Sequence, residues 1–247
     1  MSSDRIRLDI TLEARGLVQS RARARDAILR GTVRVNGVPA AKAGMLVGAD
    51  DRIEIDDPAQ GYVSRAALKL IAGLDAGAID AAGKICLDLG ASTGGFTQVL
   101  AERGAAKVYA VDVGHEQLHA RVRALPAIVS MEEVNVKDLT PELIPEPIDL
   151  LVCDISFVSV TKVLAAPLGL CHPGADAIIL VKPQFEVGRE HIGKGGIVSD
   201  ETAIAGAIDA VVSFVTAQGW MHRISVPSPI FGGDGNAETV ALFRRLS

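Results

Sequence analysis

The most constraining feature of the sequence is an alternation of short apolar runs with helical segments beyond residue 62. The runs are rich in Val, Ile and Leu, which is typical of parallel strands buried on both faces. They are KICLDLG (84–90), KVYAVDVG (107–114), IDLLVCD (148–154) and AIILVK (177–182), with RISVPS and TVALFRR near the carboxyl end. The predicted helices lie at 64–75, 95–103, 116–124, 160–168 and 201–218. This alternation predicts an α/β fold with a doubly wound parallel sheet.

The N-terminal part of the chain follows a different pattern and predicts a small α+β unit. Residues 10–15 form a short helix closed by Gly16, and Ser20 is the N-cap of a second helix that Gly31 ends. The run VRVNG predicts a strand and an Asn-Gly turn, and RIEI at 52–55 completes a small sheet. The polar run DDPAQG marks the junction. The expected division is 1–58 for this unit, 59–63 for the linker and 64–247 for the α/β domain.

Charge is distributed unevenly along the chain. The formal net charge of −5 over 247 residues, taken whole, argues against a nucleic-acid-binding protein. Residues 1–45, however, hold nine Lys and Arg against four Asp and Glu, a net of +5, so the remainder carries −10. Such asymmetry indicates a basic module joined to an acidic body.

Composition excludes several classes of protein. Hydrophobic residues make up 49% of the chain, so a sizeable core can form and wholesale disorder is excluded. Cys86, Cys153 and Cys171 are odd in number and form no CxxC pair, which favours a reduced, cytoplasmic chain over a disulfide framework or a four-cysteine zinc site. The start, MSSDRIRLDI, does not match a signal peptide. No apolar stretch approaches the ~18 residues that span a bilayer.

The string LDLGASTGGFT joins a predicted strand to a predicted helix through a glycine-rich turn. Its strand ends at Asp88, and Gly90, Gly94 and Gly95 allow a tight turn, which places a ligand over the helix N-terminus. The second strand ends at Asp112, 24 residues after Asp88, where an acid can accept hydrogen bonds from ribose hydroxyls. The pair resembles the S-adenosylmethionine (AdoMet) pocket of class I methyltransferases. A glycine-rich turn in any α/β enzyme is the alternative.

Four separated charged residues stand out. Asp154 and Lys182 end predicted strands, Lys69 lies in SRAALKL before the first strand, and Glu238 lies between the last two strands. A nearby cation and burial both lower the pKa of a lysine, which lets a neutral amine take a proton from a hydroxyl. Singly, each of these residues is better interpreted as a surface ion pair. Together, in the order K-D-K-E, they resemble the tetrad of FtsJ-type RNA 2′-O-methyltransferases.

Nearly the whole chain resembles one family. RLDITLEARGLVQSRARARDAILRGTVRVNG is similar to an S4 RNA-binding domain, and SRAALKL, GASTGGFT, DISFVSV, LVKPQFEVG and GNAE are similar to the TlyA (hemolysin A-like) family. The resemblance implies an AdoMet-dependent rRNA cytidine 2′-O-methyltransferase. It implies Lys182 as general base, with Lys69 and Asp154 setting its pKa and Glu238 holding the lysines. The implied AdoMet contacts are Asp88, Gly90, Ser92, Gly94, Gly95, Asp112 on the ribose and Asp138 at the adenine.

The S4 resemblance also implies a surface for ribosomal RNA. Its residues would be Arg5, Arg7, Ser20, Arg21, Arg25, Arg30 and Lys42. On the second predicted helix, Ala24, Ala27 and Ile28 face inward, which leaves the arginines outward. Phosphate contacts of this kind position RNA, depend on salt and carry little sequence information. A solvated basic helix is the alternative.

Several alternatives stay open. The chain could be a ribosome-assembly factor that binds RNA without catalysis, or a pore-former as the hemolysin name suggests, although no segment favours membrane insertion. The resemblance implies 23S rRNA as a target and leaves open whether 16S rRNA is a second one. The end of the chain at Ser247 favours the large subunit, by resemblance to shorter relatives.

Two further strings and one aromatic residue each allow two interpretations. HEQLH at 115–119 matches a zinc-protease pattern, but no third ligand is tied to it, so we interpret it as the polar face of a helix and expect no metal. The glycine-rich segment 188–200 is either a mobile lip over RNA or a loop into a helix capped by Ser199. Trp220 is expected to pack in the core rather than stack on a base.

Overall fold

The computed structural model describes residues 5–247 and divides into two compact units, with the boundary between Gly61 and Tyr62. Each unit has apolar clusters of its own. Among the described residues, no helix is both long and apolar enough to cross a membrane.

Within residues 5–61, the first unit contains two helices and two small sheets. Its elements are β1 (Ile6–Arg7), α1 (Leu8–Ala14), α2 (Arg21–Leu29), β2 (Val33–Val35), β3 (Val38–Pro39), β4 (Leu46–Val47) and β5 (Ile53–Ile55). The strands pair antiparallel, in the orders β3-β2-β5 and β1-β4. Asn36 and Gly37, which link β2 to β3, both have positive φ, as a tight Asn-Gly hairpin requires.

The helices of this unit are capped and buried as the sequence predicts, with one difference. The Ser20 hydroxyl accepts a hydrogen bond from the Arg23 N–H at 3.3 Å, and Ala24, Ala27 and Ile28 are buried. The first helix begins at Leu8 rather than Ile10, because Leu8 is fully buried and donates its N–H to the Met45 carbonyl, which fixes the start of the helix.

The second unit alternates strands and helices around a seven-stranded sheet. Its elements are α3 (Ala67–Gly77), β6 (Ile85–Leu89), α4 (Gly95–Glu102), β7 (Lys107–Val111), α5 (Ala120–Arg123), β8 (Ile128–Met131), β9 (Ile148–Cys153), α6 (Ala165–Gly169), β10 (Cys171–Val181), α7 (Pro183–Glu186), α8 (Glu201–Ala217), β11 (Trp220–Pro227) and β12 (Thr239–Arg245).

The strand order of the large sheet is β11-β12-β10-β9-β6-β7-β8. The five strands from β10 to β8 are parallel, and β12 runs antiparallel between β10 and β11. The chain winds outward from β6 to β8 and then returns to β9 on the other side of β6. This reversal is a topological switch point, where α/β sheets bind ligands at the carboxyl ends of their strands. The predicted doubly wound sheet is confirmed, with Trp220 buried in its core.

Three local expectations were wrong. Strand β8 was not predicted, because as an edge strand it has few buried side chains and little apolar pattern. The 116–124 helix is reduced to α5, because the carboxylate of Glu132 accepts the N–H groups of Glu116 and Leu118 and holds that segment as a loop. The HEQLH histidines therefore share no helical face. Helix α8 is capped by Asp200 rather than Ser199, because the Asp200 carboxylate accepts the N–H groups of Thr202 and Ala203 in the first turn.

Helix α3 lies unusually close to the sheet. A Cβ on Gly73 would come within 2.9 Å of Ile178 Cγ2 and 3.0 Å of Val240 Cγ1, so only glycine fits this contact. Lys69 lies one turn earlier on the same helix face. The close approach of α3 to the sheet thus sets the position of Lys69 over the strand ends.

We expect Gly73→Ala to lower the free energy of unfolding by about 1–3 kcal/mol, because the added methyl group overpacks the contact between α3 and the sheet. Gly206→Ala is the matched control, since Gly206 is exposed on α8 with no atom within 4 Å of its added Cβ. That control should instead stabilise the protein by about 0.5–1 kcal/mol. Urea unfolding measures both, and equal effects of the two substitutions would contradict the close packing of α3.

Candidate active site

All four residues predicted as the tetrad line one cavity at the carboxyl edge of the sheet. This tetrad cavity, of about 420 Å³, includes Lys69, Asp154, Lys182 and Glu238 in its lining. Asp154 directly follows β9, Lys182 follows β10 and Glu238 directly precedes β12, while Lys69 reaches the same edge from α3. Positions up to 169 residues apart in sequence are therefore brought together by the strand order.

The tetrad forms two buried ion pairs. Lys69 Nζ lies 2.5 Å from Glu238 Oε2, and Lys182 Nζ lies 2.6 Å from Asp154 Oδ1. Both lysines are only 6% exposed, so each positive charge has its compensating carboxylate inside the protein.

Lys182 has two further hydrogen bonds. Its Nζ donates to the backbone carbonyl of Asp154 at 3.1 Å and to the Ser156 hydroxyl at 2.7 Å. Together with the Asp154 carboxylate, these contacts match the three N–H groups of an ammonium. The amine is therefore held in one orientation, and Ser156, which the sequence did not single out, is one of the groups that hold it.

A second cavity, of about 450 Å³, lies against the glycine-rich turn between β6 and α4. This glycine cavity is lined by Gly90, Ser92 and Asp112 among others. A Cβ on Gly90, whose φ is +80°, would lie 3.1 Å from the Asp154 carbonyl oxygen, so the turn can approach β9 only with glycine here. The volume falls within the range of small-molecule and cofactor sites.

Asp112 fixes the wall of the glycine cavity. One of its carboxylate oxygens accepts the Ser92 N–H and the other accepts the Gly114 N–H, both at 2.8 Å. The carboxylate lines the cavity from the end of β7, where the sequence placed it. An acceptor at this position is suited to a polyhydroxylated ligand such as a ribose.

Gly94 and Gly95 shape the glycine-rich turn, but neither residue lines the glycine cavity. Gly94, with φ +97°, is the N-cap of α4, and a Cβ there would lie 2.7 Å from Leu118 Cδ1. Gly95 lines only a small connecting cavity of about 150 Å³, together with Ser64, Ser92 and Lys182.

The three cavities are adjacent and share lining residues. Asp154 and Ser156 line all three, Lys182 lines the connecting and tetrad cavities, and Gly90 lines the glycine and connecting cavities. A ligand in the glycine cavity and one in the tetrad cavity would therefore meet beside Asp154 and Lys182.

Two of the predicted ligand contacts lie elsewhere. Asp88 is fully buried beneath the turn, lines none of the three cavities and accepts a hydrogen bond from Thr97 Oγ1 at 2.5 Å. It therefore ties β6 to α4, because its side chain points into the protein. Asp138 is exposed and lies outside the glycine cavity, because the short turn that carries it places Asn135, Val136 and Lys137 in the lining.

Sequence reasoning also missed two residues that hold the loops of the site. Glu186 accepts hydrogen bonds from Ser159 Oγ at 2.6 Å and from the Val160 N–H at 2.9 Å, which anchors the loop after β9. Asn236 accepts the Val198 N–H and donates to the Gly196 carbonyl, both at 2.9 Å, which ties the glycine-rich 188–200 segment to the loop before Glu238. The sequence could have indicated both residues, because Glu186 lies in the string KPQFE and Asn236 in the string GNAE.

The residues predicted to contact RNA occupy the first unit in different environments. Arg5 and Lys42 are exposed, and Ser20 is used as a helix cap. Arg7, Arg21 and Arg25 are half-exposed and converge on one carboxylate, that of Asp9. Arg30 does not point outward as expected. Its side chain is 15% exposed because it is held between Asp26 and Asp57, with contacts of 2.9 and 2.6 Å.

Comparisons with known proteins agree with this geometry. The chain is 45% identical over 236 residues to the 16S/23S rRNA (cytidine-2'-O)-methyltransferase TlyA of Mycobacterium tuberculosis, over 95% of this chain and 88% of that protein. It is 38% identical over 189 residues to the 23S rRNA (cytidine-2'-O)-methyltransferase TlyA of Campylobacter jejuni, over 76% and 73%. A solved structure described as a hemolysin from Streptococcus thermophilus superposes with a TM-score of 0.77 at 33% identity, over 100% and 90%.

The family comparisons cover both units. Residues 62–245 match the FtsJ-like methyltransferases and residues 6–53 match the S4 domain. The sheet and its site define a class I methyltransferase fold, which S-adenosylmethionine-dependent methyltransferases of known structure share, preceded by an S4 domain. The chain belongs to the TlyA family of FtsJ-like methyltransferases. The fold class expected from the sequence is confirmed.

Burial raises the pKa of Asp88 to about 7, above its ordinary value of 3.8. Between these values the folded protein holds a proton that the unfolded chain releases, so the free energy of unfolding falls as pH rises through this window. We expect the stability of the wild type relative to Asp88→Asn to fall by about 1 kcal/mol per pH unit from pH 5 to 7.

Urea unfolding of both proteins at several pH values measures this slope. Asp209→Asn, which removes an exposed carboxylate on α8, is the control and should show no such slope. A stability difference between the wild type and Asp88→Asn that is the same at every pH would contradict a protonated Asp88.

Proposed function

We propose that this protein transfers a methyl group from AdoMet to the 2′-hydroxyl of a cytidine in 23S rRNA, with Lys182 as the general base. The observation that carries the proposal is that Asp154 and Ser156 line all three cavities and that Lys182 lines the two beside the glycine cavity. A methyl donor on one side and a ribose on the other would meet at a paired lysine. The four tetrad residues line the side on which the ribose would lie.

The glycine cavity fits AdoMet. Its volume suits a nucleoside with an amino-acid arm, and the backbone approach that Gly90 permits leaves room for a ligand against the strand ends. Gly90 and Ser92 would border the methionine arm, Asp112 would accept the ribose hydroxyls, and Asn135 with Val136 would border the adenine. Bound AdoMet supplies a methyl group that its positively charged sulfur already activates.

The contacts of Lys182 fix the position of its Nζ atom, as a general base requires. The Lys182 ammonium has three partners, which are the carboxylate and the carbonyl of Asp154 and the Ser156 hydroxyl. A neutral amine would keep two of these contacts and direct its lone pair along the third. A ribose 2′-hydroxyl placed beside Ser156 would give its proton to Nζ. Lys69, fixed by Glu238, would orient the ribose within the tetrad cavity. Positioning of this kind supplies much of the rate when the donor is already activated.

RNA binding is assigned mainly to the S4 domain. Residues 1–45 of this domain have a net charge of +5 on a chain of net charge −5, so phosphate attraction is concentrated in that stretch. Of the two named relatives, one acts on 16S and 23S rRNA and the other on 23S rRNA, which makes 23S rRNA the substrate they share. This common substrate supports the large-subunit RNA as the target.

We expect Lys182→Ala to abolish methyl transfer while leaving AdoMet affinity within about twofold, because Lys182 lies outside the lining of the glycine cavity. The assay uses tritiated AdoMet with ribosomal subunits from cells that lack this protein, followed by mapping of 2′-O-methyl sites in 23S and 16S rRNA. Lys162→Ala removes an exposed lysine outside the three cavities and should leave activity unchanged.

The outcomes separate the parts of the proposal. Transfer by Lys182→Ala at the wild-type rate would refute the general base, and a methyl group on a base rather than a ribose would refute the reaction. Methylation of 16S rRNA alone would refute the large-subunit target.

Deletion of residues 1–61 should lower affinity for 23S rRNA by at least tenfold at moderate salt, because it removes the nine Lys and Arg residues of positions 1–45. AdoMet affinity should persist, since the cavity residues all lie beyond Tyr62. Filter binding at several salt concentrations measures RNA affinity, and calorimetry with AdoMet shows that the remaining unit is folded. An unchanged RNA affinity would contradict the assignment of RNA binding to the S4 domain.

A further inference from the structure

One buried carboxylate in the first unit collects three arginines. Asp9, at the start of α1, has no exposed surface. Arg7 donates two hydrogen bonds to it, from Nε at 3.0 Å and from Nη2 at 3.1 Å. Arg25 Nε donates to Asp9 Oδ2 at 3.2 Å and Arg21 Nη2 lies 3.5 Å from the same oxygen, which also accepts the Arg7 Nη2 bond. A single negative charge on α1 is thus shared by three guanidinium groups, one from β1 and two from α2.

The arginines remain open to solvent on their outer side. Their side chains are 47%, 45% and 53% exposed for Arg7, Arg21 and Arg25, respectively. The hydrogen bonds from Arg7, followed by those from Arg25, hold the pKa of Asp9 well below its usual range, so the carboxylate stays ionised at neutral pH. The group as a whole has a net charge of +2.

We propose that Asp9 is a positioning residue that holds Arg7, Arg21 and Arg25 together as one preformed site for the phosphates of RNA. This inference rests on the proposed function, in which the S4 domain binds rRNA. Free arginine side chains lose rotamer freedom when they bind a phosphate, whereas arginines already fixed by a carboxylate have lost much of it before RNA arrives. The planar guanidinium keeps further N–H groups for a phosphate after Asp9 has taken its share.

Positioning and net charge make opposite predictions for one substitution. Asp9→Asn removes a negative charge from a phosphate-binding surface, so electrostatics alone would make RNA bind more tightly. Loss of positioning would make RNA bind more weakly, because three arginines regain their freedom. Asn keeps an oxygen that can accept the Ile10 N–H, now bonded to Asp9 Oδ1 at 3.1 Å, so the start of the helix is preserved.

The experiment compares Asp9→Asn with Asp50→Asn in the full-length protein. Asp50 is exposed in the same unit, so the control makes the same change in net charge without touching the arginines. The probe is 23S rRNA from cells that lack this protein, measured by filter binding at several salt concentrations. We expect Asp9→Asn to weaken binding about tenfold and Asp50→Asn to leave it equal or slightly tighter. Binding by Asp9→Asn as tight as wild type, or tighter, would overturn the proposal.

A second variant covers the case in which Asp9→Asn unfolds the first unit, which circular dichroism and thermal melting would reveal. Arg25→Lys keeps the charge and removes the Nε contact from a side chain that is half-exposed, so the fold is not threatened. We expect it to weaken RNA binding about threefold, whereas Arg52→Lys, at a 79%-exposed side chain, should have no effect. Equal affinities of wild type and Arg25→Lys would also overturn the proposal.

A double-mutant cycle separates positioning from a merely structural role. If Asp9 acts through Arg25, the loss caused by Asp9→Asn should be smaller in the Arg25→Lys background than in the wild type. Strict additivity would contradict a joint site. Absence of wild-type RNA binding would refute the proposed function itself, whereas wild-type binding with no effect of Asp9→Asn would refute only this inference.

Discussion

The pairing of two buried lysines with two buried carboxylates is the interaction on which the site depends. Lys182 with Asp154 and Lys69 with Glu238 are ion pairs at the carboxyl edge of the sheet. Loss of one partner would leave an uncompensated charge in the interior, which costs about 3–5 kcal/mol. The strands and α3 must therefore assemble in one register for the pairs to form, and the same register places the adjacent cavities between the glycine-rich turn and the tetrad.

Buried aspartates serve different purposes in the two units. Asp88 lies beneath the glycine-rich turn and holds β6 to α4 through Thr97, and its raised pKa of about 7 reflects burial without a cation. Asp9 has three arginines, and its pKa is lowered by them. The difference lies in the neighbours rather than in the residue, since desolvation favours the neutral carboxyl and an adjacent guanidinium favours the ionised one.

Much of the architecture could be predicted from local pattern. The apolar runs predicted the strands of the doubly wound sheet, and Ser20 predicted the cap of α2. The failures have physical causes. Edge strand β8 lacks a buried face, and the loop before α5 is held by Glu132 from a distant part of the sequence. Such side-chain-to-backbone contacts over long sequence separations leave no periodic signal for local reasoning to detect.

The sequence by itself determined the residue types of the site and the charge division between a basic N-terminal module and an acidic body. Those properties reside in composition and spacing. Only the tertiary structure decided which charges are partners, that Asp88 lies beneath the turn instead of in the cavity, and that Arg30 is held by Asp57 while Arg25 stays on the surface. The partner of a charged side chain and the degree to which it is buried depend on how strands and helices pack. Packing brings together residues that are far apart in sequence, and their separation along the chain does not indicate that they are in contact.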